Sequence, residues 1–253
     1  MENQENVKVM DRYLSPLDIW GMAFGVMVGW GTFVMPGTTF LPVAGPAGTI
    51  IAMVISMMIM LIIGSNFSYL MIRSTRTGGV YTYTKEAFGR DHAFLSSWFL
   101  CLSYLTVVFL NGSALFVVVR TMFGDAVQKG VVYSIGGNDI YLGEIAASIL
   151  ALAGIGLLFV VAKPALQRIQ TVLSVVLIAG VAILTLTCRP QALTPDVFLT
   201  FGTQEISKSY GIFSLIILAP WAFVGFEVIS FDTAHFNFPI KKSKSALFWS
   251  IIA

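Results

Sequence analysis

Residues 25–37 read Gly25-Val26-Met27-Val28-Gly29-Trp30-Gly31-Thr32-Phe33-Val34-Met35-Pro36-Gly37, an apolar stretch broken by glycines and closed by Pro-Gly. It lies inside a longer apolar run from about Leu17 to Leu41, long enough to cross a bilayer. A backbone break at membrane depth is tolerated only where the freed groups meet protein, water or ligand. A second interrupted stretch, Ala219-Pro220-Trp221-Ala222-Phe223-Val224-Gly225, comes much later, with Glu227 two residues beyond it.

Working outward, the composition fits this reading. Of 253 residues, 57% are apolar or aromatic and 11% are charged, with a mean hydropathy of +0.83. A soluble domain carries about 25% charged residues because its surface faces water. A chain this poor in charge meets lipid over most of its surface, so the bilayer is its first partner. The net charge of +2, with no basic run interleaved with aromatics, gives no case for nucleic acid. Cys101 and Cys188 form neither a ligand spacing nor a disulfide framework and read as small buried hydrophobes. His92 and His235 lie at membrane boundaries, far apart in sequence, so no metal and no cofactor is expected.

Six apolar spans follow from runs bounded by charges or Gly/Pro clusters: about Leu17–Leu41, Thr49–Ile72, His92–Val119, Ile140–Val161, Ile169–Cys188 and Tyr210–Phe231. Residues 1–16 form a polar amino terminus, 17–231 the six-span body, and 232–253 a loop with the start of a seventh helix near Ala246. With the amino terminus inside, the inner segments hold Lys8, Arg12, Arg73, Arg76, Lys85, Arg90, Lys163, Arg168, Lys241, Lys242 and Lys244. The outer segments hold Arg120, Lys129, Arg189 and Lys208. Eleven against four predicts a cytoplasmic amino terminus in a multi-pass protein of the cell membrane. Residues 73–91, with Tyr81, Tyr83, Phe88 and four basic residues, predict a short amphipathic helix at the inner interface. The last run stops at Ala253, short of the far side, which predicts a piece of a longer protein.

The two broken spans are five apart. Two inverted five-helix repeats with a site between their first helices would produce that spacing. An unwound segment presents amide N–H groups at the start of the next half-helix, which favour a carboxylate. It presents carbonyls at the end of the previous half-helix, which favour an ammonium. A zwitterionic amino acid carries both charges. Gly21 and Gly25, on one helix face, read as close-packing residues, and Gly29 fits either role. Gly31 lies off that face and reads as part of the break.

These residues carry a family resemblance. Residues 25–37, followed by Ala44-Gly45-Pro46-Ala47-Gly48, resemble the first helix of the amino acid–polyamine–organocation (APC) permeases, whose usual core is Gly-Ser-Gly-Ile-Phe, then Pro-Gly and Ala-Gly-Pro. Gly78-Gly79-Val80-Tyr81-Thr82-Tyr83 with Phe88-Gly89 is similar to that family's first cytoplasmic loop, and Trp221 to Glu227 to its sixth helix. The resemblance implies an all-α membrane protein with a LeuT-like 5+5 inverted-repeat fold, truncated after the start of its seventh helix, with helices seven to twelve missing. It also implies a secondary transporter, permease or antiporter, working by alternating access without covalent chemistry. Its substrate would be an amino acid or related amine, coupled to a proton, sodium or an exchanged amino acid.

By that resemblance the substrate carboxylate meets the amides of Trp30 and Gly31, with Gly29 and Thr32 adjacent. The ammonium meets carbonyls of Met27, Trp221 and Val224, with Ala222 and Gly225 in the same break. Trp221 also serves as an aromatic gate. The chain departs from the family in carrying Trp30 where a small Ser is usual. The amide survives that change, while the bulk leaves substrate identity open. Some relatives place a coupling Lys in the fifth helix, and here no Lys or Arg lies between Arg168 and Arg189.

Glu227 is the one carboxylate well inside a span, and it is read either as a proton-coupling or gating group or as a structural hydrogen-bond partner. Asn111 either reaches substrate or bonds a neighbouring helix, and Asn66 reads as polar glue. Asp18 and Glu144 lie near span ends where water can reach them, with Asp18 a candidate for a cytoplasmic gate. The competing class is a membrane receptor or membrane-embedded enzyme. An enzyme needs a nucleophile–base pair or metal ligands within the spans, and the sequence offers neither.

Overall fold

The computed structural model describes residues 12–74, 78–135, 138–187 and 208–253. Its first helix, α1 (Pro16–Met27), starts at a capping box. Ser15 Oγ accepts from the Asp18 amide (3.3 Å) and Asp18 Oδ2 accepts from the Ser15 amide (3.0 Å), with Pro16 at the first helical position. At about 1.5 Å per residue its 12 residues are too short to cross a bilayer. Helix α2 (Trp30–Met35) resumes after the break and runs through a wide π turn, Pro36–Phe40, into α3 (Leu41–Arg73). No loop separates the first two spans. The chain turns instead at Gly45, whose φ of +67° suits glycine, and Pro46 follows without an N–H to lose.

A short helix, α4 (Gly79–Phe88), leads to α5 (Arg90–Phe123). An antiparallel hairpin comes next, β1 (Val131–Ile135) and β2 (Asn138–Tyr141), then α6 (Leu142–Val161) and α7 (Lys163–Thr187). The sixth apolar run opens as α8 (Lys208–Leu218), continues as 3-10 turns, and α9 (Ser243–Ile252) closes the chain. Among the described residues five segments are long and apolar enough to cross a membrane: Gly31–Arg73, Arg90–Ala126, Leu142–Val161, Lys163–Thr187 and Tyr210–Phe231. The protein is thus an almost wholly helical, multi-pass membrane protein.

Two compact units result, residues 1–93 with 167–253, and residues 94–166. In the first, a stripe of buried small residues on α3 (Ala44, Gly48, Ala52, Ser56, Gly64 and Ser68) lets neighbours pack closely. A Cβ on Gly64 would sit 3.0 Å from Ile251 of α9, and one on Gly211 of α8 would sit 2.7 Å from the Val43 carbonyl. The main core joins Ile19, Met22, Met27, Met60, Phe226, Ile229 and Leu247. In the second unit the Arg120 guanidinium grips the fully buried Glu144 with two hydrogen bonds (2.7 and 2.9 Å) and donates a third to the Asp139 carbonyl (2.6 Å). That fork pins β2 to the ends of α5 and α6.

Several expectations are corrected. Glu144 is paired rather than solvated, because the hairpin covers it. The fourth span begins at Leu142, since Ile140 and Tyr141 extend β2. Tyr83 turns into the core instead of anchoring at an interface, while Tyr81 and Phe88 stay exposed. Cys101 is exposed on α5 rather than buried, and Cys188 lies outside the described residues.

Candidate functional site

The first break is centred on Val28 and Gly29. Val28 (φ −80°, ψ 100°) and Gly29 (φ −117°, ψ −172°) are extended, whereas Trp30 and Gly31 already belong to α2. The interruption therefore falls ahead of the Gly-Trp-Gly midpoint. The Thr32 amide bonds the Gly29 carbonyl (3.1 Å), so the amides of Trp30 and Gly31 open the half-helix ahead of that bond. Gly31 has room: a Cβ there would make only ordinary contact with Met35 Sδ, at 3.4 Å. Thr32 is exposed and Met27 is buried at the end of α1.

The sixth span breaks at Val224 (φ −65°, ψ 135°) and Gly225 (φ +113°), between two 3-10 stretches, Ala219–Phe223 and Phe226–Phe231. The Trp221 carbonyl accepts the Val224 N–H at 3.3 Å, so one of its lone pairs is engaged within the turn. Its indole and the Val224 side chain are exposed, and Ala222 is half-buried beside them. Glu227 Oε2 accepts the Gly225 N–H at 3.0 Å, which ties the carboxylate to the amide the break has freed.

The two breaks lie side by side. A Cβ on Gly225 would come 2.3 Å from Val26 Cγ1 and 3.5 Å from the Val26 carbonyl carbon, two residues before Val28. Of the residues singled out in the sequence, Met27, Gly29, Trp30, Gly31, Thr32, Trp221, Ala222, Val224, Gly225 and Glu227 all fall on these two broken spans. Asn111 does not join them in this unit. It belongs to the other unit, where its side-chain amide donates to the Val107 carbonyl (3.0 Å) of its own helix.

Behind the first break, α1 rests on a polar face of α7. A Cβ on Gly21 would lie 2.7 Å from Thr171 Oγ1, and one on Gly25 would lie 2.8 Å from Gln170 Nε2, so both are packing glycines. Ser174 Oγ donates to the Gly21 carbonyl (3.2 Å) and Gln170 to the Met22 carbonyl (3.4 Å). Sequence reading passed over this face. Its signal is the spacing Gln167, Gln170, Thr171, Ser174 in an otherwise apolar helix. Below the second break, Gly79 of α4 abuts Ser230 and Phe231, and burial pushes the nearby Tyr83 hydroxyl up to about 12.

The described residues thus form a multi-pass helical membrane protein with two interrupted spans side by side. A family model described as amino acid permease matches residues 14–253. The chain belongs to that family, within the APC superfamily. It is 24% identical over 261 residues to the branched-chain amino acid permease BcaP of Bacillus subtilis, covering 97% of this chain and 52% of that protein. It is 34% identical over 94 residues to mouse cationic amino acid transporter 4 and 33% to the human protein of the same name, each match covering 37% of this chain and 15% of the relative. The chain thus spans about half the length of the bacterial relative. No solved structure matches it.

Proposed function

We propose that the chain supplies the substrate-binding half of a secondary active transporter for amino acids or related amines, with a LeuT-like 5+5 repeat and alternating access. The contact of Gly225 with Val26 carries this reading, because it sets the two unwound segments against each other. In it, the substrate carboxylate is held by the Trp30 and Gly31 amides at the start of α2, where the half-helix dipole favours an anion. The ammonium lies toward the carbonyls of Met27, Val224 and Trp221, with the Trp221 indole as a lid. Backbone groups provide both ends, so the main chain of the substrate is recognised whatever its side chain. The amino terminus is placed in the cytoplasm of a cell-membrane protein, on the distribution of Lys and Arg.

Glu227 holds the Gly225 amide, so its first role in this reading is to shape the break. A proton-coupling role makes a separate demand that Glu227→Gln tests, since the glutamine oxygen can still accept the Gly225 N–H. If uptake by the full-length Glu227→Gln protein keeps the parent's pH dependence, Glu227 is structural only. If the dependence is lost while the protein stays folded, the carboxyl carries the proton. The binding site itself is tested by Gly31→Pro. That change removes one amide where proline otherwise suits a first helical turn, so it should weaken carboxylate binding at least about tenfold with little loss of fold.

A further inference from the structure

Lys241, Lys242 and Lys244 crowd into the short stretch Ile240-Lys241-Lys242-Ser243-Lys244. They occupy a 3-10 turn, Ile240–Lys242, and the first turn of α9. All three are exposed, and among the described residues none of them is in an ion pair. No Asp or Glu occurs from Thr233 to Ala253, nor from Leu41 to Ser74, which includes α3. Carboxylates on the other elements that meet α9 are engaged elsewhere. Asp18 caps α1 through Ser15, Glu227 accepts the Gly225 N–H, and Asp232 lies 3.5 Å from His235 Nδ1. The positive charge is left for something outside the chain.

The turn presents these charges from a fixed frame. Ile240 packs against the main core, the Lys242 N–H donates to the Pro239 carbonyl (2.9 Å), and the buried Ser243 Oγ donates to the Ile240 carbonyl (2.6 Å). Beyond it α9 lies on α3, where a Cβ on Gly64 would sit 3.3 Å from Leu247. Three lysines without carboxylates are not tolerated in hydrocarbon, so the turn falls at the membrane boundary where α3 ends in Arg73. Both elements use the same boundary device, a cation with an aromatic ring one helical turn deeper. Arg73 Nη1 donates to the Tyr69 hydroxyl at 3.0 Å, and Lys244 Nζ lies 5.2 Å from the Phe248 ring centroid. Trp249, beside Phe248, is exposed.

We infer that Lys241, Lys242 and Lys244 form a docking surface for the headgroups of anionic phospholipids, with Phe248 and Trp249 against the upper part of the acyl chains. Charge complementarity selects the occupant. A net-negative phosphodiester headgroup supplies the anion that the chain lacks here, at the depth where the lysines lie, whereas a zwitterionic headgroup brings its own cation. The inference needs the chain to span a membrane and does not depend on what it transports. Ser245 is exposed between Lys244 and the aromatic pair and serves as the reporter position. In a cysteine-free full-length background, Ser245→Cys is labelled with bimane and reconstituted in phosphatidylcholine liposomes. Quenching by brominated phosphatidylglycerol is then compared with quenching by brominated phosphatidylcholine at equal mole fraction.

Phosphatidylglycerol should quench at least about threefold more strongly than phosphatidylcholine, and the preference should shrink toward one in about 1 M salt, where charges are screened within about 3 Å. Replacing all three lysines (Lys241→Gln, Lys242→Gln, Lys244→Gln) should abolish the preference, and the corresponding triple arginine variant should keep it. Equal quenching by the two lipids in the parent, or an unchanged preference in the glutamine variant, overturns the docking surface. If the glutamine variant fails to fold, the salt series on the parent still decides, because a preference indifferent to salt overturns it too. Equal quenching together with a bimane shielded from soluble iodide assigns the lysines to an acidic segment of protein instead, and likewise overturns the lipid assignment.

Discussion

At Gly225 two demands meet. The backbone sits at φ +113°, where a side chain is strained, and the space a Cβ would need is already filled by Val26. Gly225→Ala is expected to cost about 2 kcal/mol or more of stability, read as a lowered thermal midpoint in detergent. Gly31 makes the opposite case, with helical backbone and open space near Met35. Gly31→Ala should stay within about 0.5 kcal/mol of the parent by the same measurement. Sequence alone marked both glycines as break residues. It could not separate them, because the distinction depends on Val26, which nothing in the local pattern singles out.

At the scale of elements, α4 shows how a short connecting helix is tied to a broken span. Gly79 abuts Ser230 and Phe231, and Tyr83 goes into the core, where burial raises its hydroxyl from 10.0 to about 12. The folded state therefore favours neutral Tyr83. That stability is fully present below pH 10 and is lost as pH rises toward 12. Tyr83→Phe should flatten the alkaline limb of an unfolding-versus-pH curve between those values, and an unchanged limb would remove Tyr83 as its cause. The hairpin makes a second case. Glu144→Ala strips Arg120 of its fork and should lower the thermal midpoint by several degrees, with Glu144→Gln milder.

Helix α4 was legible because its amphipathic composition is local. Five of the six expected apolar spans were legible for the same reason, since lipid demands a continuous run, whereas the first, Leu17–Leu41, is not among the five membrane-length segments of the described residues. The hairpin was missed although Val131-Val132-Tyr133-Ser134-Ile135 is rich in strand formers, because charge counting treats the segment only as an outer loop. The inward turn of Tyr83 was missed because a tyrosine suits a headgroup layer and a protein core equally well.

For the molecule as a whole, the arrangement in the first unit ties α1, α7 and the sixth span into one assembly around two facing breaks. The family match spans residues 14–253, so the elements of the proposed site lie within it. A polar face of α7 binds α1 through Ser174, Gln170 and Gln167. The most direct measurement of the central claim is uptake and exchange of a labelled amino-acid and amine panel by the full-length protein in liposomes, with and without pH and sodium gradients. Saturable movement of at least one amino acid, weakened by Gly31→Pro, is the expected result. No movement of any member of the panel, under any gradient, by protein shown to be folded would contradict it.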